Sequence, residues 1–488
     1  MSGTSISWLQ EGMEVAKVPF GTSDWAWWMT LGFVLCLAAG ALYALVIAPA
    51  AAARAKAPAP APDAESAQAA EAAAPAPAAA QAKAKAPRAE YLDALKTFMT
   101  FLVVFHHVVR TFEQDNWYPF NIYSCRDLTE ALDGQNCREH FFKDVFVDWT
   151  TAINTSYFMN LFFLISGYFT PSSLDRKGAQ DFLSDKFKRL GLPALAWFFL
   201  FGPLLWYLCL STIFGTTFAY GDNGSWITRG PPWFVAWLLT FNVIYAMSDG
   251  APVVMPMPRV GALLMLGVVM GVVLYVSPTT PIMAIPAGVQ ELIVNSVFFT
   301  AGIIGKRNGW LEHVEALPRK TVWLLRGLAA VLLMASFSLK LLGHFEPANN
   351  QLYGKQMSSI FLKGLFTVVI TFVELDIFRL YFQKIGRFTR FLADASYAVF
   401  LIHPYVTTAV AWAYVEIVRA SGVEVVKADL AAVGLKASSY APVYAFVLED
   451  QGEALLWGCF AFTLFFTIVL VWPISEGVRR LPGFRQVL

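Results

Sequence analysis

Between Tyr91 and Phe112 the chain reads YLDALKTFMTFLVVFHHVVRTF, which sets Asp93, Lys96, His106, His107 and Arg110 into a run otherwise apolar enough for a bilayer. An imidazole is the side chain best suited to take a proton near neutral pH, and burial keeps it in the neutral, proton-accepting form. A lysine offers a point charge for phosphate. In an α-helix each residue turns by about 100°, so an interval of eleven residues returns to within roughly 20° of the starting direction. Lys96 and His107 therefore share a face, and Asp93, Thr100, Val103 and Arg110 lie within an arc of about 100° around it. Ionisable groups at bilayer depth cost several kcal/mol unless they face protein or a watery cavity, so a polar stripe of this kind points to function. Asp93, Lys96 and Arg110 are also explained as side chains reaching the two interfaces, but the two histidines are not.

These residues need a scaffold, and the composition supplies one. Of 488 residues 57% are hydrophobic and 15% charged, against roughly 25% charged in a soluble domain, and the mean hydropathy is +0.52. The expected fold class is all-α, a polytopic transmembrane helix bundle. The net charge of +1 excludes a general electrostatic partner such as nucleic acid. No CxxC or paired-histidine spacing marks a metal site. Residues 1–24 form an N-terminal tail, and 25–48 form an extra anchor helix opened by Trp25, Trp27 and Trp28. The acidic residues before that run, Glu11, Glu14 and Asp24, favour a retained anchor over a cleaved signal. Residues 49–88, almost all Ala, Pro, Lys, Glu and Gln, read as a disordered cytoplasmic linker.

About ten further spans follow, at 92–112, 152–171, 191–215, 232–248, 258–277, 288–304, 321–343, 357–378, 391–416 and 453–475. Alternation places the basic flanks on the linker side, including Lys186, Lys188 and Arg189, then Lys306 and Arg307, then Arg387 and Arg390. By the positive-inside rule that side is cytoplasmic, the N-terminus lies outside and the tail 479–488 inside, in an endomembrane or plasma membrane. Cys125 and Cys137 fall in the outer loop, where disulfides persist. A bridge there would contribute roughly 3 kcal/mol in the chain-entropy account; the alternative is two free thiols. Asn223-Gly224-Ser225 is a glycosylation sequon in the next outer loop. The outer segment 417–452 is amphipathic and suits a short helix lying on the membrane.

Three stretches together carry a resemblance: DALKTFMTFLVVFHH (93–107), NLFFLISGYFTPSSLDRKGAQDFLSDKFKRLGLP (160–193) and ASYAVFLIHPYV (395–406). Their order and spacing resemble the acyltransferase-3 family of multipass membrane acyltransferases, over residues 89–478. That family places a basic residue and a histidine on its first helix with ten residues between them, and Lys96 and His107 match, with Lys where Arg is commoner. Lys186 through Pro193 resembles the basic RxxRLxxP segment, and 395–406 the SYxxYLIH element. One departure is Pro231-Pro232 before Trp233-Phe234, where the family frequently has a histidine.

The resemblance implies an acyl-CoA donor, acetyl-CoA above all, and an acceptor hydroxyl on a glycan, lipid or small molecule. His107 is then the expected general base. Lys96, Lys186, Lys188 and Arg189 form a cationic group near one interface, suited to the donor's phosphates or simply to the positive-inside rule. His106, about 100° round the helix, is either a helix–helix hydrogen bonder or a second base. Ser166 and His403 are candidate substrate-binding residues. Gly167 beside Ser166 also suits close helix packing, and Pro404 after His403 frees a carbonyl at Val399 or Phe400. Glu374 and Asp376 are expected to pair with Lys363 and Lys340. The competing class is a transporter using the polar helix as a substrate path, though paired repeats with broken helices are not visible.

Overall fold

The computed structural model describes residues 90–112, 119–125, 141–215, 230–248, 253–276, 281–282, 285–345, 358–429, 444–449 and 453–487. The tail, anchor and linker expected at 1–88, Asn223, Cys137 and the side chain of Cys125 lie outside that description.

Each of the ten expected spans coincides with helix. α1 (Glu90–Arg110) carries the polar stripe. After strand β1 (Phe120–Cys125), a π-helical turn (Phe142–Val147) leads into α2 (Asp148–Lys186). Gly178, at φ 73°, breaks α2 near its end in a conformation open to glycine. The next span alternates π-helical turns with α3 (Leu192–Ala196) and α4 (Gly202–Leu208). There follow α5 (Trp233–Met247), α6 (Val260–Val276), the short strands β2 (Pro281–Ile282) and β3 (Ile285–Gly288), and α7 (Val289–Arg307). Then come α8 (Trp310–Glu315), α9 (Arg319–Phe345), a π-helix (Ser358–Phe366) continuing into α10 (Thr367–Tyr381), and α11 (Arg387–Ala420). Strands β4 (Val425–Asp429) and β5 (Tyr444–Glu449) precede α12 (Glu453–Arg480). Among the described residues five helical stretches are long and apolar enough to cross a membrane, as fits an integral multipass membrane protein.

Among the described residues of 417–452, strands form where a surface helix is expected. β5 pairs parallel with β1 (Phe120 opposite Tyr444) and antiparallel with β4 (Val425 opposite Leu448), giving a sheet ordered β1-β5-β4. The reason is local: Val425-Val426 and Tyr444-Ala445-Phe446-Val447 are β-branched and aromatic, and Ala445 to Leu448 are buried. Lys427 donates to the carbonyl of Ile213, tying the sheet to the bundle.

α1 lies at the centre. In its most apolar window 72% of residues are buried, against 17% in Arg319–Leu342 of α9, and it packs on α2, α10, α11 and α12. A helix apolar and buried on most sides tolerates polar groups only where a partner or cavity receives them. α2 and α7 cross closely through glycine: a Cβ on Gly167 would stand 2.1 Å from Phe299 O, and one on Gly302 2.1 Å from Leu164 O. That close packing accounts for the Ser166-Gly167 step. The acids on α10 pair differently from expectation. Asp376 bonds Arg326 at 2.6 Å and Arg379 at 3.2 Å, and Lys340 instead meets Asp148 at 3.2 Å. Glu374 is buried and hydrogen-bonded to Tyr157. Arg326 on the neighbouring α9 reaches the Asp376 level, whereas Lys363, in the π-helix before α10, lies about 20 Å from it by helical rise.

Candidate active site

His107 and His403, 296 residues apart in sequence, meet where α1 and α11 pack. His403 Nε2 lies 2.7 Å from His107 Nδ1, and the rings stack with centroids 4.7 Å apart and 24° between planes. Both imidazoles are buried. The protons follow from the partners. His403 Nδ1 is 3.1 Å from Val399 O, with Phe400 O as a second acceptor. A carbonyl only accepts, so His403 Nδ1 carries the hydrogen and its Nε2 the lone pair. His107 Nδ1–H must then donate to His403 Nε2, and the acceptor nitrogen of His107 is Nε2. Pro404 sustains this arrangement: lacking an N–H, it leaves the carbonyls of the preceding turn to the His403 ring.

A cavity of about 190 Å³ opens beside this pair. His106, His107 and Arg110 line it from α1, Asn160 from α2, Glu291 and Asn295 from α7, Trp233 from α5 and Lys363 from the π-helix before α10. His106 packs on Phe158 with centroids 5.3 Å apart, and its Nδ1 has no hydrogen-bond partner among the described residues. Pro231, of the Pro231-Pro232 step before Trp233-Phe234, lines the wall as well. His403 stands behind His107, and Ser166 is not among the lining residues. Ser166 lies instead beside the α2–α7 crossing, its carbonyl taken by the Thr170 hydroxyl at 2.8 Å.

The cationic group occupies another level. By helical rise Lys96 is about 16 Å along the axis from His107. Lys96 bonds Asp93 at 2.8 Å and lies 4.9 Å over the Phe169 ring. Arg189 reaches Asp185 at 3.2 Å, Lys186 lies 5.3 Å over the Phe182 ring, and Lys188 is exposed. This end is fastened to α11. Pro193 has no N–H for Arg189 O four residues back, and the Tyr397 hydroxyl caps that carbonyl at 2.5 Å.

Glu291 and Lys363 were not legible as site residues because each falls in the first third of an apolar span, where the interface accounts for it. Their signal is opposite charge in two spans, and only packing shows that they face one cavity.

A histidine pair beside a polar cavity, inside a bundle of apolar helices, fits a polytopic membrane protein. Residues 89–475 match the model of the acyltransferase-3 family, described as an acyltransferase domain, and the chain belongs to that family. It is a membrane acyltransferase. No curated protein and no solved structure matches it.

Proposed function

We propose that the chain transfers an acyl group, acetyl above all, from acyl-CoA to a hydroxyl of a glycan, glycolipid or small molecule, with His107 as general base. The observation that carries this reading is the 2.7 Å bond between His107 and His403 at the cavity wall. It fixes the tautomer in which His107 Nε2 accepts a proton. The acceptor oxygen attacks the thioester carbonyl as its proton passes to Nε2. The carbon–sulfur bond then breaks, and the proton returns to the departing thiolate, giving ester and free thiol. His106, which lines the same cavity, is in this reading a candidate second base.

A cavity of about 190 Å³ is smaller than a drug-sized site, roughly 300–1,000 Å³, so the nucleotide of the donor stays outside it. In this reading Lys96, with Lys186, Lys188 and Arg189, holds the phosphates at the basic, cytoplasmic end. The pantetheine arm spans the axial distance of about 16 Å to His107. The test is acetyl-CoA turnover by the purified chain in detergent, alone and with acceptors, compared with His107→Ala. Full turnover by that variant would refute the assignment.

A further inference from the structure

One feature of the cavity is not used by that chemistry. Glu291 and Lys363 enter it from different elements, α7 and the π-helix before α10. Arg110 of α1 lines the same cavity. Yet no ion pair or side-chain hydrogen bond joins Glu291 and Lys363 to each other, or to another side chain, among the described residues. Elsewhere in this bundle opposite charges close to contact, as Arg326 and Asp376 do at 2.6 Å. A charged pair kept for stability would close likewise, because separated intramembrane charges forfeit attraction while still bearing the desolvation cost. The opening between this carboxylate and this ammonium suits a group that donates to one and accepts from the other. A hydroxyl does both at once, and it does so without bringing further charge into the bundle.

Building on the acyl-transfer reading, we propose that Glu291 and Lys363 are specificity-determining residues that bind a second hydroxyl of the acceptor. That hydroxyl neighbours the one acylated at His107, so the preferred acceptor is an uncharged vicinal diol. Asn160 and Asn295 supply further polar contacts on the same wall, and Trp233 an apolar face for the carbon skeleton of the diol.

The experiment uses the full chain in detergent with acetyl-CoA and two acceptors, cis-1,2-cyclohexanediol and cyclohexanol, which differ by the second hydroxyl. The expected result is a preference in kcat/KM for the diol of at least about tenfold, the scale of a hydrogen bond to a charged group. Glu291→Gln and Lys363→Gln should each bring that ratio towards one, and Lys363→Arg should restore most of it. A purely structural role would lower both rates and leave the ratio alone. An equal rate with both acceptors, transfer to neither, or a ratio unmoved by both Gln variants would overturn the proposal. So would tighter competition by cis-2-aminocyclohexanecarboxylate, which fills the gap with two charges. His107-dependent hydrolysis of acetyl-CoA without a diol preference removes this inference alone; loss of hydrolysis and transfer together removes the acyl-transfer reading beneath it.

Discussion

The basic end of the bundle and the cavity treat charge in opposite ways. At the basic end acids and bases are in contact. Glu90 meets Arg390 at 3.0 Å, Asp175 meets Arg307 through two bonds of 2.5 and 2.7 Å, and Glu476 takes Arg479 and Arg480 at 2.7 Å each. The first two join different helices, and the third closes within the last turns of α12. Around the cavity no ion pair joins Glu291 and Lys363 among the described residues, His106 Nδ1 has no partner among them, and the contact with His403 sets a proton on His107 Nδ1. Contact pairs fasten this bundle, while the separated polar groups are, on the reading proposed above, where a substrate completes it.

The sharpest way to break the comparison is at the histidine pair. His107→Ala should lower kcat by about 10²–10⁴-fold, the usual contribution of a positioned general base, with the KM for acyl-CoA unchanged. Stopped-flow or endpoint thiol release reads this directly. His403 acts through His107 as a positioning residue, so its loss should be smaller. His403→Ala is expected to cost about 10–100-fold in kcat, and His403→Gln, whose amide can still accept from His107 Nδ1–H, should recover part of it. A fall in stability with unchanged kcat would make the pair a fastening like those at the basic end.

Between the basic end and the cavity stands the α2–α7 crossing. Gly302→Ala places a methyl 2.1 Å from a backbone oxygen, which no rotamer relieves. It should cost about 1–3 kcal/mol, seen as a lower melting temperature in detergent. Lys96 tests whether the basic end does more than fasten. Although it touches Asp93, the reading above requires it to hold phosphate. Lys96→Ala should therefore raise the KM for acyl-CoA about tenfold with kcat little changed. An unchanged KM would assign Lys96 wholly to Asp93.

What the sequence revealed and what it hid divide along the same line. The ten spans were readable because long apolar runs are unambiguous, and Lys96 and His107 stood out because charge is rare inside such runs. The partnership of His107 with His403 was not readable, since no local period links residues 296 positions apart. Nor was the role of Glu291 or Lys363, whose position in the first third of a span has an ordinary explanation. The sheet at 425–429 and 444–449 did leave a signal in its valines and aromatics. Amphipathicity alone favoured a surface helix, and alternation over so few residues is compatible with either.

The smallest effect belongs to the fastening itself. Glu90 accepts from Arg390 and from the Ile385 backbone N–H at 2.9 Å, tying the start of α1 to the start of α11. Arg390 is 56% exposed there, so water and salt already weaken the attraction. Glu90→Gln keeps an oxygen for the Ile385 amide and removes only the charge. The expected cost is therefore below about 1 kcal/mol, visible as a slight fall in melting temperature at low ionic strength that shrinks as salt is added. Activity should stay at the wild-type level, because the cavity lies near the other end of α1. If this substitution instead reduced turnover as deeply as a change at the histidine pair, the basic end and the cavity would be coupled through α1. Contact pairs and separated groups would then be parts of one device rather than a frame and the site it holds.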